Sequence, residues 1–191
     1  MKEKINSYQK MLIDCIEKWD AQATIEFIQL LEKARDDDKQ IIIMGNGGSG
    51  ATASHFAGDF NKGLSLGKER SERYRVISLV DNSPTVLSLA NDVSYDDIFV
   101  EQMKNFVCKG DLVIGISGSG NSENVIRAVE YAKEQGATVV GLTGYSGGKL
   151  KEISDLNVHF NIDNMQVAED MHMILTHMVF YVLNEKGKNR I

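Results

Sequence analysis

The sequence predicts an α/β fold: a doubly wound parallel sheet with helices on both faces, preceded by N-terminal helices. Three observations carry this. Ile41-Ile42-Ile43-Met44 is an unbroken apolar run, the pattern of a strand covered on both faces. It leads directly into the glycine-rich turn Gly45-Asn46-Gly47-Gly48-Ser49-Gly50 and then a helix starting at about Ser49. Strand, turn and helix then alternate at the same pace to the end of the chain, as in a parallel sheet with right-handed crossovers.

In order, residues 1–19 read as an amphipathic helix, with Ile5, Tyr8, Leu12, Ile16 and Trp19 at helical spacing. That stripe suits either the core or a second subunit. Asp20 is the expected N-cap of a second helix running to about Arg35, with Ile25, Phe27, Ile28, Leu30 and Leu31 inward. Asp36-Asp37-Asp38 reads as a solvated loop. Further strands are expected at Tyr74–Val80, Asp111–Ile116 and Thr138–Thr143, with an alternating edge strand at Leu156–Ile162. Helices are expected at Thr85–Asn91, Ser94–Phe106, Glu123–Gln135, Lys149–Ile153 and Val167–Asn184. Asn91-Asp92 falls in a loop, Gly136 suits a helix C-cap, and His159 is expected to be exposed.

The 191 residues fit one domain, 1–191, of which 1–38 form a helical extension. Hydrophobic residues make up 42% and charged residues 25%, ordinary for a globular chain. The net charge of −6 argues against a general nucleic-acid partner. No apolar stretch is long enough to span a bilayer and none resembles a leader, so no membrane partner and a cytoplasmic location are expected. Cys15 and Cys108 are expected to be reduced thiols.

Ligands of such sheets bind at the carboxyl ends of the strands. The β-strand ending at Met44 opens a helix whose free N–H groups attract anions, and His55 and Asp59 share its face four residues apart. A second loop, Ser117-Gly118-Ser119-Gly120-Asn121-Ser122, offers backbone N–H groups and small hydroxyls that match phosphate oxygens. The Gly45-x-Gly47-x-x-Gly50 pattern also meets the dinucleotide fingerprint. That fingerprint needs an acidic residue at the end of the next strand; Glu69 and Glu72 fall in the loop-like 62–72 stretch instead, and the next strand ends only at Asp81, so no nucleotide cofactor is expected. On the last helix, Glu169 and Asp170 suit its N-terminus, and His177 lies among Met173, Ile174, Met178, Val179 and Phe180.

Taken in order, Gly45-Asn46-Gly47-Gly48-Ser49 with His55, Leu79-Val80-Asp81-Asn82-Ser83, Ala90-Asn91-Asp92, Gly115 to Ser122, Leu142-Thr143-Gly144 with Gly147-Gly148, and Glu169 with His177 resemble the sugar isomerase (SIS) domain family. Within it they resemble the isomerases of phosphoheptoses, over nearly the whole chain. The resemblance implies a flavodoxin-like sandwich and an aldose–ketose isomerase interconverting sedoheptulose 7-phosphate and D-glycero-D-manno-heptose 7-phosphate. It implies a homotetramer with active sites between subunits. Phosphate is implied at Ser117, Gly118, Ser119 and Ser122, and the sugar near Asn46, Gly47, Gly48, Ser49, Asn91 and Asp92. A divalent metal, zinc first, is implied at His55, Asp59, Glu169 and His177, with Asp59, Glu169 and His177 catalytic.

Two positions depart from the family pattern. Asp59 stands where the family has glutamate, its catalytic base, and Glu169 where it has glutamine. Either carboxylate could then serve as base. Glu169 and His177 are eight apart, roughly 12 Å along a helix, so sharing one ion requires a frayed first turn or a second subunit. Two alternatives remain: an isomerase of another phosphosugar, and a non-catalytic SIS-domain binding protein of the initiator-associating type.

Overall fold

The computed structural model describes residues 1–188. Two helices, α1 (Lys2–Glu17) and α2 (Ala21–Asp36), lead into β1 (Gln40–Gly45) and α3 (Gly47–Gly58), which continues as a π-helical turn, Asp59–Gly63. There follow β2 (Arg75–Ser78), α4 (Ser83–Asp92), a 3-10 turn (Tyr95–Asp97), α5 (Ile98–Met103), β3 (Leu112–Ser117) and α6 (Glu123–Glu134). The chain closes with β4 (Thr138–Thr143), α7 (Gly148–Ile153), β5 (Leu156–His159) and α8 (Met165–Lys188). The five strands lie in the order β2-β1-β3-β4-β5, each pair parallel. The chain steps to opposite sides of β1, so the β1 and β3 carboxyl ends flank the switch point where ligands of such sheets bind.

The apolar runs explain the two layers. Along β1, Ile41 and Ile43 face the cluster of Phe27, Leu31, Phe56, Leu175 and Val179, while Ile42 and Met44 face Phe99, Met103, Val125, Val129 and Leu150. Each of these β1 side chains is fully buried, which is worth roughly 1.5–3 kcal/mol apiece. Asp20 caps α2 through Gln22 and Ala23 N–H. Gly136, at φ +80°, ends α6 with its N–H on the Lys133 carbonyl.

Several sequence expectations shift. β2 is shorter than 74–80. α4 runs two residues earlier and one later, which puts Asn91 and Asp92 in its last turn rather than in a loop. Ser94 caps a 3-10 turn, so the expected 94–106 helix narrows to α5. Ile25 is exposed. Asp38 is no bare loop carboxylate: Arg70 and Arg75 both reach it at 3.1 Å, and Arg70 above all holds its carboxyl below the usual range. On α1 no residue is buried. Its Tyr8 hydroxyl donates to Asp170 on α8 at 2.5 Å, a bond that pushes Tyr8 up to about 12, and Ile5, Ile13 and Ile16 remain exposed. Cys15 and Cys108 are free thiols. No helix among the described residues is long and apolar enough to cross a membrane.

The histidines also change places. His159 is not exposed on β5; it is half-buried, and its Nδ1 lies 3.0 Å from the Thr143 hydroxyl. The fully buried histidine of α8 is His172. It lies beside Phe160, with neither ring nitrogen hydrogen-bonded. Burial pushes its pKa from 6.5 down to about 4. The unfolded chain takes this proton below pH 6.5 and the folded chain refuses it until about pH 4. Stability from the neutral ring is therefore complete above pH 6.5 and falls as pH drops toward 4, by roughly 3 kcal/mol. His172→Leu removes two unsatisfied buried nitrogens, and urea titrations are expected to show it at least as stable at pH 7. They are also expected to show a flatter acid limb between pH 6.5 and 4; identical acid limbs would contradict the buried neutral ring.

Candidate active site

The turn after β1 is built on glycine. A Cβ at Gly45 would sit 2.8 Å from the Ser49 backbone, and Gly47 adopts φ +53°. Asn46 is the N-cap of α3 but gives no side-chain cap bond, because its amide is spent elsewhere. It pairs reciprocally with the Asn124 amide at 2.8 and 3.0 Å and accepts from the Tyr95 hydroxyl at 2.9 Å. The sequence reading missed Asn124 and Tyr95. A signal for Asn124 was present: it heads the stripe Asn124, Ala128, Ala132 on the buried face of α6, where a polar residue needs a partner.

The serine loop is pinned from both sides. Ser117 and Ser122 hydroxyls lie 2.9 Å apart, Gly120 N–H donates to Ser117 Oγ, and Asn121 N–H donates to Ser119 Oγ. The Gly118 carbonyl accepts from Gly144 N–H at 2.8 Å and the Gly120 carbonyl from Leu150 N–H at 2.9 Å. Ser122 is the N-cap of α6 yet makes no side-chain cap bond; Val125 and Ile126 N–H donate to its carbonyl, which leaves the Glu123 and Asn124 N–H groups for a ligand. A cavity of about 180 Å³ results, lined by Asn46, Ser49, Ser117, Gly118, Ser119, Ser122, Met165 and Glu169. Its lining holds no cation; the positive potential comes from helix ends.

Glu169 enters this cavity from α8. A Cβ on Gly48 would lie 2.3 Å from its Oε2, so the missing side chain at Gly48 is what admits the carboxylate. It stands over the N-terminal turn of α3, where the helix dipole favours negative charge. Among the described residues Glu169 makes no hydrogen bond or ion pair. It sits in the second turn of α8, not in a frayed first turn.

About two helical turns further along, α3 and α8 bring a second group together. His55 Nε2 lies 2.8 Å from His177 Nε2 and 3.3 Å from Asp59 Oδ2. The two rings meet edge to face at 4.9 Å. His177 is exposed rather than set in the apolar face. The ligand atoms of His55, Asp59 and His177 all lie within 4.8 Å of one another, and Glu169 is not among them. The pairings Gly48 with Glu169 and His55 with His177 show α3 and α8 advancing side by side, so Glu169 and His177 face different turns of α3. The four expected metal positions thus divide into a His55–Asp59–His177 cluster and a separate Glu169.

Two imidazoles and a carboxylate are a fitting donor set for a divalent ion. Two ligand atoms each about 2.0–2.1 Å from a tetrahedral ion stand roughly 3.3 Å apart. His55 and Asp59 meet that spacing, and the imidazole pair is closer. Asn91 and Asp92 are exposed, with Asn91 donating to Asp92 at 2.7 Å, and neither lines the serine cavity.

The serine cavity, the unpaired carboxylate and the three-residue cluster follow one another from the carboxyl end of a parallel sheet out along α3 and α8. The chain belongs to the SIS domain family, which it matches over residues 6–144. Its relatives are phosphoheptose isomerases. That of Aliarcobacter butzleri is 36% identical over 149 residues, covering 77% of this chain and 76% of the relative. That of Geotalea uraniireducens is 30% identical over 188 residues, 97% and 96% of the two chains. The solved phosphoheptose isomerase of Neisseria gonorrhoeae superposes with a TM-score of 0.88 at 27% identity, covering 96% of this chain and 98% of that one.

Proposed function

We propose that this isomerase interconverts sedoheptulose 7-phosphate and D-glycero-D-manno-heptose 7-phosphate, with the phosphate in the serine cavity and the reacting carbons near Glu169. The observation that carries this is the α3–α8 seam. Along it a donor-lined cavity, an unpaired carboxylate and the His55–Asp59–His177 cluster follow in succession, which supports this reading. Glu169 repels the phosphate dianion, so the phosphate settles toward the Ser117–Ser122 loop and the sugar toward the carboxylate.

From the ketose, a carboxylate takes a proton from C1, beside the C2 carbonyl. With a proton gained by the C2 oxygen this gives an enediol; C2 then takes a proton back from the carboxyl group as O1 gives up its own, leaving the aldehyde at C1 and a hydroxyl at C2. Of the two carboxylates, Asp59 is engaged with His55 and Glu169 is free, which favours Glu169 as the base. His55, Asp59 and His177 would hold a divalent ion, zinc first. When bound, such an ion supplies Lewis-acid stabilisation of substrate oxygens. Asn46 orients an oxygen of the sugar, and Ser117, Ser119 and Ser122 fix its phosphate end.

A homotetramer fits the apolar Ile5, Ile13 and Ile16 face that α1 leaves exposed. Free Cys15 and Cys108 fit the cytoplasm.

The test is turnover of sedoheptulose 7-phosphate, read as aldose by NMR, for the unaltered protein and for Glu169→Gln, with and without a chelator. Turnover that Glu169→Gln lowers on the order of 10³-fold supports Glu169 as base. Full activity in Glu169→Gln returns the role to Asp59. No turnover by the unaltered, metal-replete protein sinks the reading.

A further inference from the structure

A reciprocal pair of amides joins the glycine turn after β1 to the first turn of α6, just past the serine loop. Asn46 Nδ2 donates to Asn124 Oδ1 at 2.8 Å and Asn124 Nδ2 donates back to Asn46 Oδ1 at 3.0 Å. The Tyr95 hydroxyl donates to the same Asn46 oxygen at 2.9 Å. An amide oxygen has two lone pairs and its nitrogen two hydrogens. Both lone pairs of Asn46 are therefore taken, and one N–H remains. Asn46 lines the serine cavity and also the neighbouring cleft of about 320 Å³ formed with Ala51, Ser54, Val86 and Tyr95.

The partners are themselves held. Asn124 is 2% exposed. Tyr95 opens the 3-10 turn whose Asp97 and Asp96 face Arg127 at 2.9 and 3.7 Å, and Arg127 is steadied by Glu123 at 2.8 Å. Asn124 and Arg127 are three apart on α6. One helix thus grips the Asn46 amide directly and the Tyr95 turn through its guanidinium.

We propose that Asn124 and Tyr95 are positioning residues that make Asn46 a hydrogen-bond donor only, aimed at an oxygen of the bound phosphosugar. This rests on the phosphosugar reading above. A fixed N–H strengthens as a carbonyl oxygen gains charge on the way to the enediolate. The effect of the clamp therefore falls on kcat more than on KM. Neither residue touches the serine loop's hydroxyls, so affinity for inorganic phosphate is independent of the clamp.

The experiment measures steady-state turnover of sedoheptulose 7-phosphate by Tyr95→Phe, Asn124→Ala and Asn124→Asp. Inhibition by inorganic phosphate and the ¹⁵N side-chain amide spectrum are recorded on the same proteins. Tyr95→Phe, at an exposed ring, keeps the fold and is expected to lower kcat about tenfold, the worth of one hydrogen bond. KM and phosphate inhibition stay within about twofold. Asn124→Ala removes both amide bonds and is expected to cost on the order of a hundredfold. Asn124→Asp still accepts from Asn46 Nδ2 and regains part of this. The Asn46 amide resonances, assigned by their loss in Asn46→Asp, move in each variant. A kcat within about twofold of the unaltered protein in Tyr95→Phe and Asn124→Ala overturns the proposal. So does phosphate inhibition that weakens in step with kcat, which would place the effect in the serine loop. If the unaltered protein turns over no sugar, the proposed reaction fails, and the spectrum alone judges the clamp: Asn46 resonances unmoved in Tyr95→Phe overturn it.

Discussion

Truncating His177 to alanine is expected to lower turnover of sedoheptulose 7-phosphate on the order of 10³-fold while leaving stability within about 0.5 kcal/mol. The imidazole is exposed, and its contacts are His55 at 2.8 Å and the edge of that ring. Little packing is lost with it. His55, Asp59 and His177 form one cluster, and groups that act as a unit have non-additive effects. Asp59→Asn alone should therefore cost about as much as Asp59→Asn combined with His177→Ala. Rates and urea midpoints of the two single variants and the double variant check this. Losses that multiply would mean that the three side chains act separately.

The second large effect lies in the serine loop. Gly120 sits at φ +70°, and a Cβ there would come within 1.8 Å of the Gly147 carbonyl oxygen. Its own N–H and carbonyl bind Ser117 and Leu150. Gly120→Ala therefore forces the loop and the β4–α7 turn apart. The left-handed strain alone costs roughly 1–3 kcal/mol, and the clash with backbone, which cannot swing aside, adds to it. The expected result is a loss of at least about 3 kcal/mol together with loss of inhibition by inorganic phosphate. Gly47→Ala supplies the comparison. Its φ is +53° but nothing lies within 4 Å of its Cβ, so only the strain term should appear, about 1 kcal/mol. Equal melting temperatures for the two variants would show that the loop yields to the Gly147 carbonyl at no cost.

The sheet was legible because its strands are apolar on both faces and each runs into a punctuated turn. Ile41–Met44 and Leu112–Ile116 announce themselves by the absence of alternation. Boundaries were less legible. Tyr74 and Val80 extend the apolar pattern of β2, but pairing with β1 stops at Ser78. On α1 the stripe left core and second subunit both open, and Ile5 and Ile16 stay about half exposed, whereas Ile25 of α2, expected inward, is exposed as well. The residues of both loops and of the His55–Asp59–His177 cluster could be named from the sequence. Their grouping could not, because helical spacing fixes position along α8 and says nothing of the helix beside it. Only the side-by-side run of α3 and α8 separates Glu169, over Gly48, from His177, beside His55. His172 illustrates the same limit, since an imidazole's spacing does not reveal which of two helix faces the core covers. Asn124 was legible as a polar residue on a buried stripe, whereas Tyr95 needed the 3-10 turn that carries it to Asn46.

The most direct measurement runs the reaction in D₂O. Sedoheptulose 7-phosphate is incubated with the metal-replete protein and followed by NMR. Proton removal and return through an enediol predicts D-glycero-D-manno-heptose 7-phosphate carrying deuterium at C2, where solvent has exchanged with the base. The absence of any aldose, under conditions where the protein is folded and metal-loaded, would contradict the account at its centre.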